Sequence, residues 1–293
     1  MMKISKYNAS GNDFVIFTDS VKADRSKLAR ELCDRRDGVG ADGLIVVLPK
    51  FNGIEGINFE WEFYNSDGSS ADMCGNGSRA VCMYAYENFL AAQSMKFLSG
   101  AGVISGEIFG IFGGNLSENM RGELRNVSFG EIFNLRPNAH ALVANVEVML
   151  TRPKRLGESF EEAGLTWYFY NTGVPHLVTF VSDLNEFDAA LARDLREKYN
   201  ANVNYALVQS RLASKILKVR TFERGVEAET LACGTGMAAC FIAGVENMGL
   251  APDIRVIPAS GEMLNLRLGD GGKIYFRGDV RHTFDGEFIG YVE

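Results

Sequence analysis

Long apolar runs are missing from the sequence, and none approaches the length that a membrane-spanning helix needs. Residues 1–7 likewise lack the apolar core of a secretory signal peptide. Lysine and arginine number 30 against 37 aspartate and glutamate, so the net charge is -7 and there is no basic excess for binding nucleic acid. These features predict a cytoplasmic protein that binds neither a membrane nor nucleic acid.

Paired cysteine motifs are also missing. The five cysteines are an odd number, they form no Cys-x-x-Cys pair, and no histidine lies close to them in the sequence. The sequence therefore predicts neither the disulfide framework of a small secreted protein nor a zinc site. We expect reduced thiols and no bound metal.

Hydrophobic residues make up 46% of the 293 residues, which is enough for two packed domains of ordinary size. Short strand-like segments outnumber helices, which favours an α/β fold of the α+β type. The polar stretch 130–134 predicts the division between domains. Residues 1–130 with 280–293 would form the half that carries Cys74, and residues 131–279 the half that carries Cys233.

A short phrase occurs twice, once in each half of the chain. It reads Cys74-Gly75-Asn76-Gly77 in the first copy and Cys233-Gly234-Thr235-Gly236 in the second. Each copy follows a strand-like run and a polar loop, and each precedes a proline-free segment rich in alanine, methionine and aromatic residues. A matched pair of this length indicates an internal duplication.

Four helices and a larger number of strands are expected from hydrophobic periodicity and end signals. The helices are 26–35, 76–90, 185–199 and 235–248, with Asp183 as the N-cap of the third. The strands include 57–64 and 215–222 before the two cysteine phrases, 124–129, 274–276, and a final strand at 288–292.

The two cysteines are candidates for acid–base chemistry because each would lie at a helix N-terminus. Partial positive charge and unpaired N–H groups there favour thiolate and can bind an anion. The N–H groups of Gly75, Asn76, Gly234 and Thr235 could then hold one carboxylate between two helices. One sulfur, as thiolate, would remove the α-proton, and the other, as thiol, would supply a proton to the opposite face.

A structural interpretation competes with this one. A single cysteine before a glycine turn is more often a small buried residue than a catalytic group. The matched pair reverses that preference in favour of function. Cys33, Cys82 and Cys240 lack the context, and the last two are expected in the cores of their helices.

Several further motifs occur in a specific order along nearly the whole chain. They are Gly11-Asn12-Asp13-Phe14-Val15, Gly38-Val39-Gly40-Ala41-Asp42-Gly43-Leu44, Asn65-Ser66-Asp67-Gly68-Ser69, Asn171-Thr172-Gly173-Val174-Pro175-His176, Asn202-Val203-Asn204 and Glu223-Arg224-Gly225, together with the two cysteine phrases. In this order the chain resembles the diaminopimelate epimerases, which are amino-acid epimerases that need no cofactor.

The resemblance implies two pseudo-symmetric domains, each a curved, mostly antiparallel sheet around a central helix, with the active site in the cleft between them. It implies interconversion of L,L- and meso-2,6-diaminopimelate, a step toward lysine and peptidoglycan. Cys74 would act as base on the L,L isomer and Cys233 on the meso isomer. His176 and Glu223 would tune the two thiols.

A diaminopimelate site must also hold the far ammonium and carboxylate of the substrate. We expect Arg224 to grip that carboxylate bidentately, with hydrogen bonds from Asn65 and Asn204. The resemblance places Asn12 near the reacting end. Without it, a surface salt bridge for Arg224, turn-forming roles for the asparagines and a structural role for His176 would be preferred.

Three departures from the family pattern concern the far end of the substrate. Val174 stands where many members have asparagine, Gly43 where many have glutamine, and the loop 225–229 is one residue longer than the commonest form. Two alternatives stay open: a related racemase or isomerase acting on another amino or hydroxy acid, and a non-catalytic amino-acid-binding protein on the same fold. A homodimer is compatible with the sequence but is not determined by it.

Overall fold

The computed structural model describes residues 1–49, 55–112, 142–211 and 214–290. The chain divides into two compact units. Unit 1 comprises Met1–Met73, Gly77–Glu147 and Asp279–Glu293, and unit 2 comprises Cys74–Asn76 and Val148–Gly278. The division expected near residue 130 lies outside the described residues.

The described part of unit 1 consists of strands and two helices. Its elements are β1 (Met2–Ala9), β2 (Asn12–Thr18), α1 (Ser26–Cys33), β3 (Gly43–Leu48), β4 (Phe59–Asn65), α2 (Gly75–Glu87), β5 (Ser94–Ser99) and β6 (Gly102–Phe112). Strands β2 and β3 are parallel, as are β4 and β5, because each of these pairs is joined through a helix. The pairs β1–β2, β3–β4 and β5–β6 are antiparallel.

Unit 2 contains the following elements, of which β7 begins and β17 ends in unit 1. They are β7 (Leu142–Met149), β8 (Lys154–Arg155), β9 (Phe160–Glu162), β10 (Leu165–Asn171), β11 (Pro175–Phe180), α3 (Ala189–Tyr199), β12 (Asn202–Arg211), β13 (Ser214–Glu223), β14 (Ala228–Thr230), α4 (Gly234–Asn247), β15 (Asp253–Ile257), β16 (Leu264–Leu268) and β17 (Ile274–Phe288). Strands β11 and β12 are parallel, as are β13 and β15. The pairs β10–β11, β12–β13 and β15–β16 are antiparallel.

The same series of elements therefore occurs twice. In each unit an antiparallel pair leads to a helix, a parallel strand and an antiparallel strand, and then to the cysteine phrase, its helix and a second parallel strand. The expected duplication and the α+β fold class with mostly antiparallel pairing are confirmed.

The two helices that follow the cysteines are buried, α4 because it is apolar all round and α2 because apolar residues fill its later turns, while its first turns also bury Asn76, Ser78 and Arg79. In α4 all residues from Gly236 to Gly244 are buried, and in α2 those from Asn76 to Ala85. A helix that is apolar all round belongs in a core, whereas α1 and α3 expose one polar face. Cys82 and Cys240 are fully buried in their helices, as expected.

The third expected helix, 185–199, is divided in the structure. Asp183 caps a short 3-10 turn at Leu184–Glu186 through a capping box, and the chain then leaves helical geometry at Phe187. Asp188 accepts hydrogen bonds from the N–H groups of Ala190 and Leu191 and starts α3 afresh. A second strong N-cap five residues after the first therefore interrupts the helix.

The C-terminal strand is much longer than expected. The predicted strand 274–276 continues to Phe288 as β17, which pairs with β16 and then with β1. The separate strand expected at 288–292 is wrong in its described part, since Phe288 ends β17 and residues 289–290 are not in a strand. The expected strand 124–129 lies outside the described residues.

None of the described helices combines the length and the apolar character that crossing a membrane would require.

A buried charged cluster joins β1, α2 and β17 in unit 1. His282 contacts Glu87 through Nδ1 at 2.9 Å and Asp285 through Nε2 at 3.0 Å. Tyr7 stacks on the His282 ring with centroids 4.6 Å apart and also hydrogen-bonds to Glu87. Ser5 donates to Asp285 at 2.7 Å. Burial alone would lower the pKa of His282, but the two carboxylates outweigh it and raise the pKa to about 9.

This cluster should make the protein less stable at alkaline pH. The folded state holds a proton on His282 that the unfolded state loses near pH 6.5, so stability falls as pH rises from about 6.5 through about 9. The slope should be at most about 1.4 kcal/mol per pH unit. Urea unfolding of wild type and His282→Gln across this window measures the difference. Parallel curves for the two proteins would contradict the assignment.

Candidate active site

The two cysteine phrases form the same local structure. Helices α2 and α4 begin at Gly75 and Gly234, so each cysteine stands directly before a helix. A Cβ atom built on Gly234 would lie 3.4 Å from the Cα of Gly75 and 3.2 Å from the Phe276 ring. A side chain at Gly234 would therefore need the Phe276 ring to give way by a few tenths of an ångström, and the two helix starts lie in van der Waals range of each other. Within unit 2 the first turns of both helices are therefore neighbours.

Cys233 and Cys74 are within electrostatic reach of each other. Cys233 is 6% exposed, and burial raises the pKa of its thiol strongly. The Glu223 carboxylate and Cys74 raise this pKa further, whereas the Thr235 hydroxyl and the Gly236 N–H lower it. At Cys233 desolvation therefore opposes the helix terminus, which by itself favours thiolate. The resting Cys233 is a thiol, which is the form of a proton donor.

His176 lies beneath this helix start, on β11. It is fully buried, and its Nε2 atom is 3.0 Å from the Thr235 hydroxyl. Thr235 in turn stands 3.5 Å from the Cys233 sulfur. Burial and the nearby Arg224 guanidinium lower the pKa of His176 to about 3, so its ring is neutral at physiological pH. Proline precedes it as the first residue of the strand.

The buried neutral ring should make the protein sensitive to acid. Below about pH 6.5 the unfolded chain binds a proton on His176, whereas the folded protein binds it only near pH 3. The free energy of unfolding therefore falls as pH falls from about 6.5 to about 3. The expected contribution is at most about 1.4 kcal/mol per pH unit. In chemical unfolding experiments the stability of His176→Gln should lack this dependence on pH. An unchanged slope in this variant would count against a buried neutral His176.

Asn204, predicted to bind substrate, is fully buried under His176. Its Nδ2 atom is 3.2 Å from His176 Nδ1 and donates to the Leu177 carbonyl at 2.8 Å. Its Oδ1 atom accepts from the Thr221 hydroxyl at 2.9 Å. A Cβ on Gly236 would come within 2.4 Å of that oxygen, so this glycine leaves the space that the amide occupies. The structure thus places Asn204 against His176.

Glu223 and Arg224 stand at the end of β13, next to the second cysteine phrase. The Glu223 carboxylate accepts from the Thr230 hydroxyl at 2.9 Å. The Arg224 side chain donates from Nη1 to the carbonyl and side-chain oxygens of Asn200, at 3.0 and 3.3 Å. Within the described residues its Nε and Nη2 atoms donate to no protein group. Two donors are therefore available for a carboxylate ligand.

Asn202 is a residue of this site that the sequence reasoning did not single out. It is buried, and its Oδ1 atom accepts the backbone N–H of Arg224 at 2.8 Å. It lies two residues before Asn204 on β12, so the two side chains share one face of the strand. That spacing was a signal in the sequence, because residues two apart on a strand point the same way.

Asn12 and Asn65 lie in unit 1. Asn12 donates to the Asp42 carboxylate at 3.3 Å, and Asn65 donates to the Ser69 hydroxyl at 3.0 Å. Asp42 also accepts the backbone N–H of Asp13 at 3.1 Å, which joins two motifs at the start of parallel strands β2 and β3. The substrate contacts expected of Asn12 and Asn65 stay predictions.

The remaining expected groups lie at the two helix starts. Asn76 is buried, and its Nδ2 atom donates to the Ala232 carbonyl at 3.4 Å, directly before Cys233. Together with the Gly75–Gly234 contact, this bond ties the first cysteine phrase to the second. The anion-binding roles expected of the N–H groups at Gly75, Asn76, Gly234 and Thr235 stay predictions.

Gly43, one of the departures from the family pattern, cannot take a side chain without a shift of its surroundings. A Cβ atom there would lie 2.8 Å from the Phe63 ring and 2.9 Å from the Tyr64 carbonyl oxygen. The packing of β3 against β4 in this chain therefore requires glycine. Val174 is half-buried and offers no polar side-chain atom, although its carbonyl accepts the Thr172 N–H at 3.2 Å.

Within the described residues, no three His, Cys, Asp or Glu side chains are grouped so as to hold a metal ion. The chemistry available at the site is that of two neighbouring thiols, a carboxylate, a neutral imidazole and a guanidinium.

Comparison with known proteins agrees with the expected family. The family model described as diaminopimelate epimerase matches residues 4–124 and 168–283. A diaminopimelate epimerase of Nitratiruptor sp. is 47% identical over 97% of both chains. One from Campylobacter lari is 45% identical over 98% of this chain and 99% of its own, and one from Helicobacter pylori is 39% identical over 96% and 94%.

Solved structures share the fold at low sequence identity. A probable proline racemase from Agrobacterium radiobacter aligns with a TM-score of 0.66 at 12% identity, over 98% of this chain and 93% of its own. A predicted epimerase from Pseudomonas aeruginosa aligns with a TM-score of 0.64 at 14% identity, over 99% and 100%. The matched family segments and the full-length relatives place the chain in the diaminopimelate epimerase family.

Proposed function

We propose that this protein interconverts L,L- and meso-2,6-diaminopimelate by a two-base mechanism in which Cys74 and Cys233 act as base and acid. The approach of the two helix starts at Gly75 and Gly234, each directly after its cysteine, carries this proposal. The family membership supplies the substrate.

The reaction exchanges one proton for another at the α-carbon. Starting from the L,L isomer, the Cys74 thiolate removes the α-proton and becomes a thiol, while the Cys233 thiol delivers its proton to the opposite face and becomes a thiolate. No electrons leave the substrate, and the total number of protons is unchanged. The meso isomer reacts by the reverse sequence. Burial and the Glu223 carboxylate support the acid role because both keep Cys233 protonated at rest.

Stabilisation of the developing charge would come from the helix starts. Removing the α-proton pushes charge onto the neighbouring carboxylate, and N–H groups at two helix N-termini can donate to its oxygens. Donors fixed before the reaction favour the transition state over the ground state. By analogy with one oxyanion-hole donor, each could contribute on the order of 2.7–4 kcal/mol.

Recognition of the far carboxylate is assigned to Arg224, with Asn202 placing it. The bond from the backbone N–H of Arg224 to Asn202 fixes the backbone at the end of β13, and the bonds from Nη1 to Asn200 hold the side chain. This leaves Nε and Nη2 for a bidentate contact with a carboxylate.

Proton exchange in heavy water tests the proposal. Purified protein with L,L-diaminopimelate should replace the α-proton by deuterium and form the meso isomer, without added cofactor and at the same rate after treatment with a chelator. Nuclear magnetic resonance of the substrate follows both events. Absence of both exchange and inversion would rule out this substrate, and a chelator-sensitive rate would rule out a mechanism by thiols alone.

The setting of the reaction follows from its chemistry. Both thiols must stay reduced to exchange protons, which supports a reducing compartment such as the cytoplasm. A homodimer and the absence of nucleic-acid binding stay predictions.

A further inference from the structure

Four side chains of unit 2 form a hydrogen-bonded series that ends at Cys233. We call it the Asn204 series: Asn204, His176, Thr235 and Cys233. Successive polar atoms are 3.2, 3.0 and 3.5 Å apart. Asn204 and His176 are fully buried, so water does not compete for these contacts. The donor in each contact can be worked out from the surrounding groups.

The Asn204 amide has only one consistent orientation. A backbone carbonyl accepts and cannot donate, so the amide atom 2.8 Å from the Leu177 oxygen must be nitrogen. The other amide atom then accepts from the Thr221 hydroxyl at 2.9 Å. The second hydrogen of the Asn204 nitrogen has two acceptors in reach, His176 Nδ1 at 3.2 Å and the Asn202 carbonyl at 3.5 Å, and the shorter contact assigns it to Nδ1.

This orientation selects the tautomer of His176. The ring is neutral, and Nδ1 is an acceptor, so the single ring proton is on Nε2. Nε2 then donates to the Thr235 oxygen at 3.0 Å. Because the Thr235 oxygen accepts from His176, the Thr235 hydroxyl proton is free to point at a different acceptor. The Cys233 sulfur, 3.5 Å from that oxygen, is such an acceptor.

The family resemblance already implies that His176 tunes the thiols; we propose that Asn204 is the positioning residue that sets the His176 tautomer, so that the Thr235 hydroxyl is directed at the Cys233 sulfur and stabilises its thiolate when Cys233 acts as base. The catalytic role of the series rests on the proposed function, whereas the hydrogen bonds themselves follow from the distances between the side chains. Other groups facing Cys233 act against the thiolate, namely Glu223, Cys74 and the burial itself, while the Gly236 N–H assists it. Cys240 is a further thiol within electrostatic reach, and Arg224 faces His176.

The series would therefore keep a deeply buried thiol usable in both directions. As a thiol, Cys233 donates a proton for one isomer. In the reverse direction it must first be a thiolate, and a hydroxyl aimed at the sulfur lowers the free energy of that state through a charge-assisted hydrogen bond.

The tautomer can be measured directly on the wild-type protein. Nitrogen NMR of ¹⁵N-histidine-labelled protein, assigned with His176→Gln, should show a neutral His176 with its proton on Nε2. A proton on Nδ1, or a charged ring at neutral pH, would overturn the proposal. This experiment needs no substrate and no reaction of the thiol.

The effect on the thiol can be measured through its alkylation. Thr235→Val removes the hydroxyl at nearly constant shape and should lower the rate of Cys233 alkylation by a small neutral reagent about 10- to 100-fold at fixed pH, since the apparent pKa rises by roughly one to two units. Mass spectrometry of the Cys233 peptide measures it. Thr235→Ser should restore the rate. A Thr235→Val rate and pH profile equal to those of wild type would overturn the proposal.

A double-variant cycle tests whether Asn204 acts through Thr235. Asn204→Asp offers only acceptors, which moves the His176 proton to Nδ1 and frees the Thr235 hydroxyl to donate to Nε2 instead of sulfur. Adding Thr235→Val to Asn204→Asp should then slow alkylation little further. Fully additive effects would mean that the new charge acts directly on the thiol, and would contradict the series.

Thr179→Val is the matched control. Thr179 is buried on β11, three residues after His176, and its hydroxyl has no hydrogen-bond partner within the described part of the chain. This variant should leave the alkylation rate and its pH dependence unchanged. Since none of these readouts uses diaminopimelate, failure of the exchange experiment above and failure of the Asn204 series are distinguishable.

Discussion

Replacing either Cys74 or Cys233 by serine should lower the rate of epimerisation by about 10²–10⁴-fold, the usual contribution of a positioned acid or base. A serine hydroxyl is far less acidic than a thiol. It therefore cannot form the anion that removes the α-proton, and it does not readily donate a proton to the α-carbon in the other direction. The substrate should still bind, because the carboxylate contacts are unchanged. Steady-state rates in both directions measure the loss.

Two cysteines within the helices that follow Cys74 and Cys233 supply matched controls. Cys82 and Cys240 lie farther along α2 and α4 and are fully buried in the cores of those helices. Their alanine variants should keep nearly full activity, with a modest loss of stability from the small cavities. Full activity in Cys74→Ser or Cys233→Ser would refute the two-base mechanism, whatever the controls show.

Arg224→Met should lower kcat/KM for diaminopimelate about 10- to 100-fold. A charge-assisted hydrogen bond contributes about 1.5–3 kcal/mol, and methionine keeps much of the side-chain volume while removing every donor. The loss should depend on the distal carboxylate of the substrate. L-lysine lacks that group, so its slow α-proton exchange should be similar in wild type and variant.

Arg220→Met is the control for removing a positive charge nearby. Arg220 lies on the same strand, β13, and pairs with Glu229 at 2.6 Å. Its replacement should weaken a partly exposed salt bridge, with an effect on stability of about 0–1 kcal/mol, and leave kcat/KM unchanged. Equal losses for diaminopimelate and lysine in Arg224→Met would show that Arg224 does not recognise the second carboxylate.

The elements that position the thiols could be predicted from local sequence alone. Strand β4 alternates aromatic and acidic residues and β13 carries Ile216, Leu217, Val219 and Phe222 between polar residues, while α2 and α4 are proline-free segments that begin at a Cys-Gly-x-Gly phrase. Such patterns determine secondary structure because burial of apolar surface must match the period of the element. The repetition of one phrase in two such contexts also predicted the duplication.

Local sequence was insufficient where two signals competed. Helix 185–199 has an apolar stripe along its whole length, but Asp188 caps a new helix inside it. The length of β17 could not be seen either, since its outer half is polar and is held by pairing with β1 at the other end of the chain. Pairing between segments far apart in the chain does not show in the local hydrophobic pattern of either segment.

The ionisation of the site depends on surroundings that no motif records. A helix start favours thiolate, whereas burial of Cys233 raises the pKa of its thiol. Likewise the substrate contact expected of Asn204 stays a prediction, while the fold places Asn204 under His176 and Asn202 beside Arg224. The two asparagines lie on one face of β12, and the neighbouring strands decide which partner each of them contacts.

The sequence by itself determined the two thiols, the helices behind them and the family to which the chain belongs, because these depend on residue type and order. The tertiary structure alone decided that Cys233 rests as a thiol, that His176 stays neutral and that His282 stays charged. Each of these states is set by desolvation against a few close charges and hydrogen bonds. Those distances arise only when segments far apart in the chain are packed together.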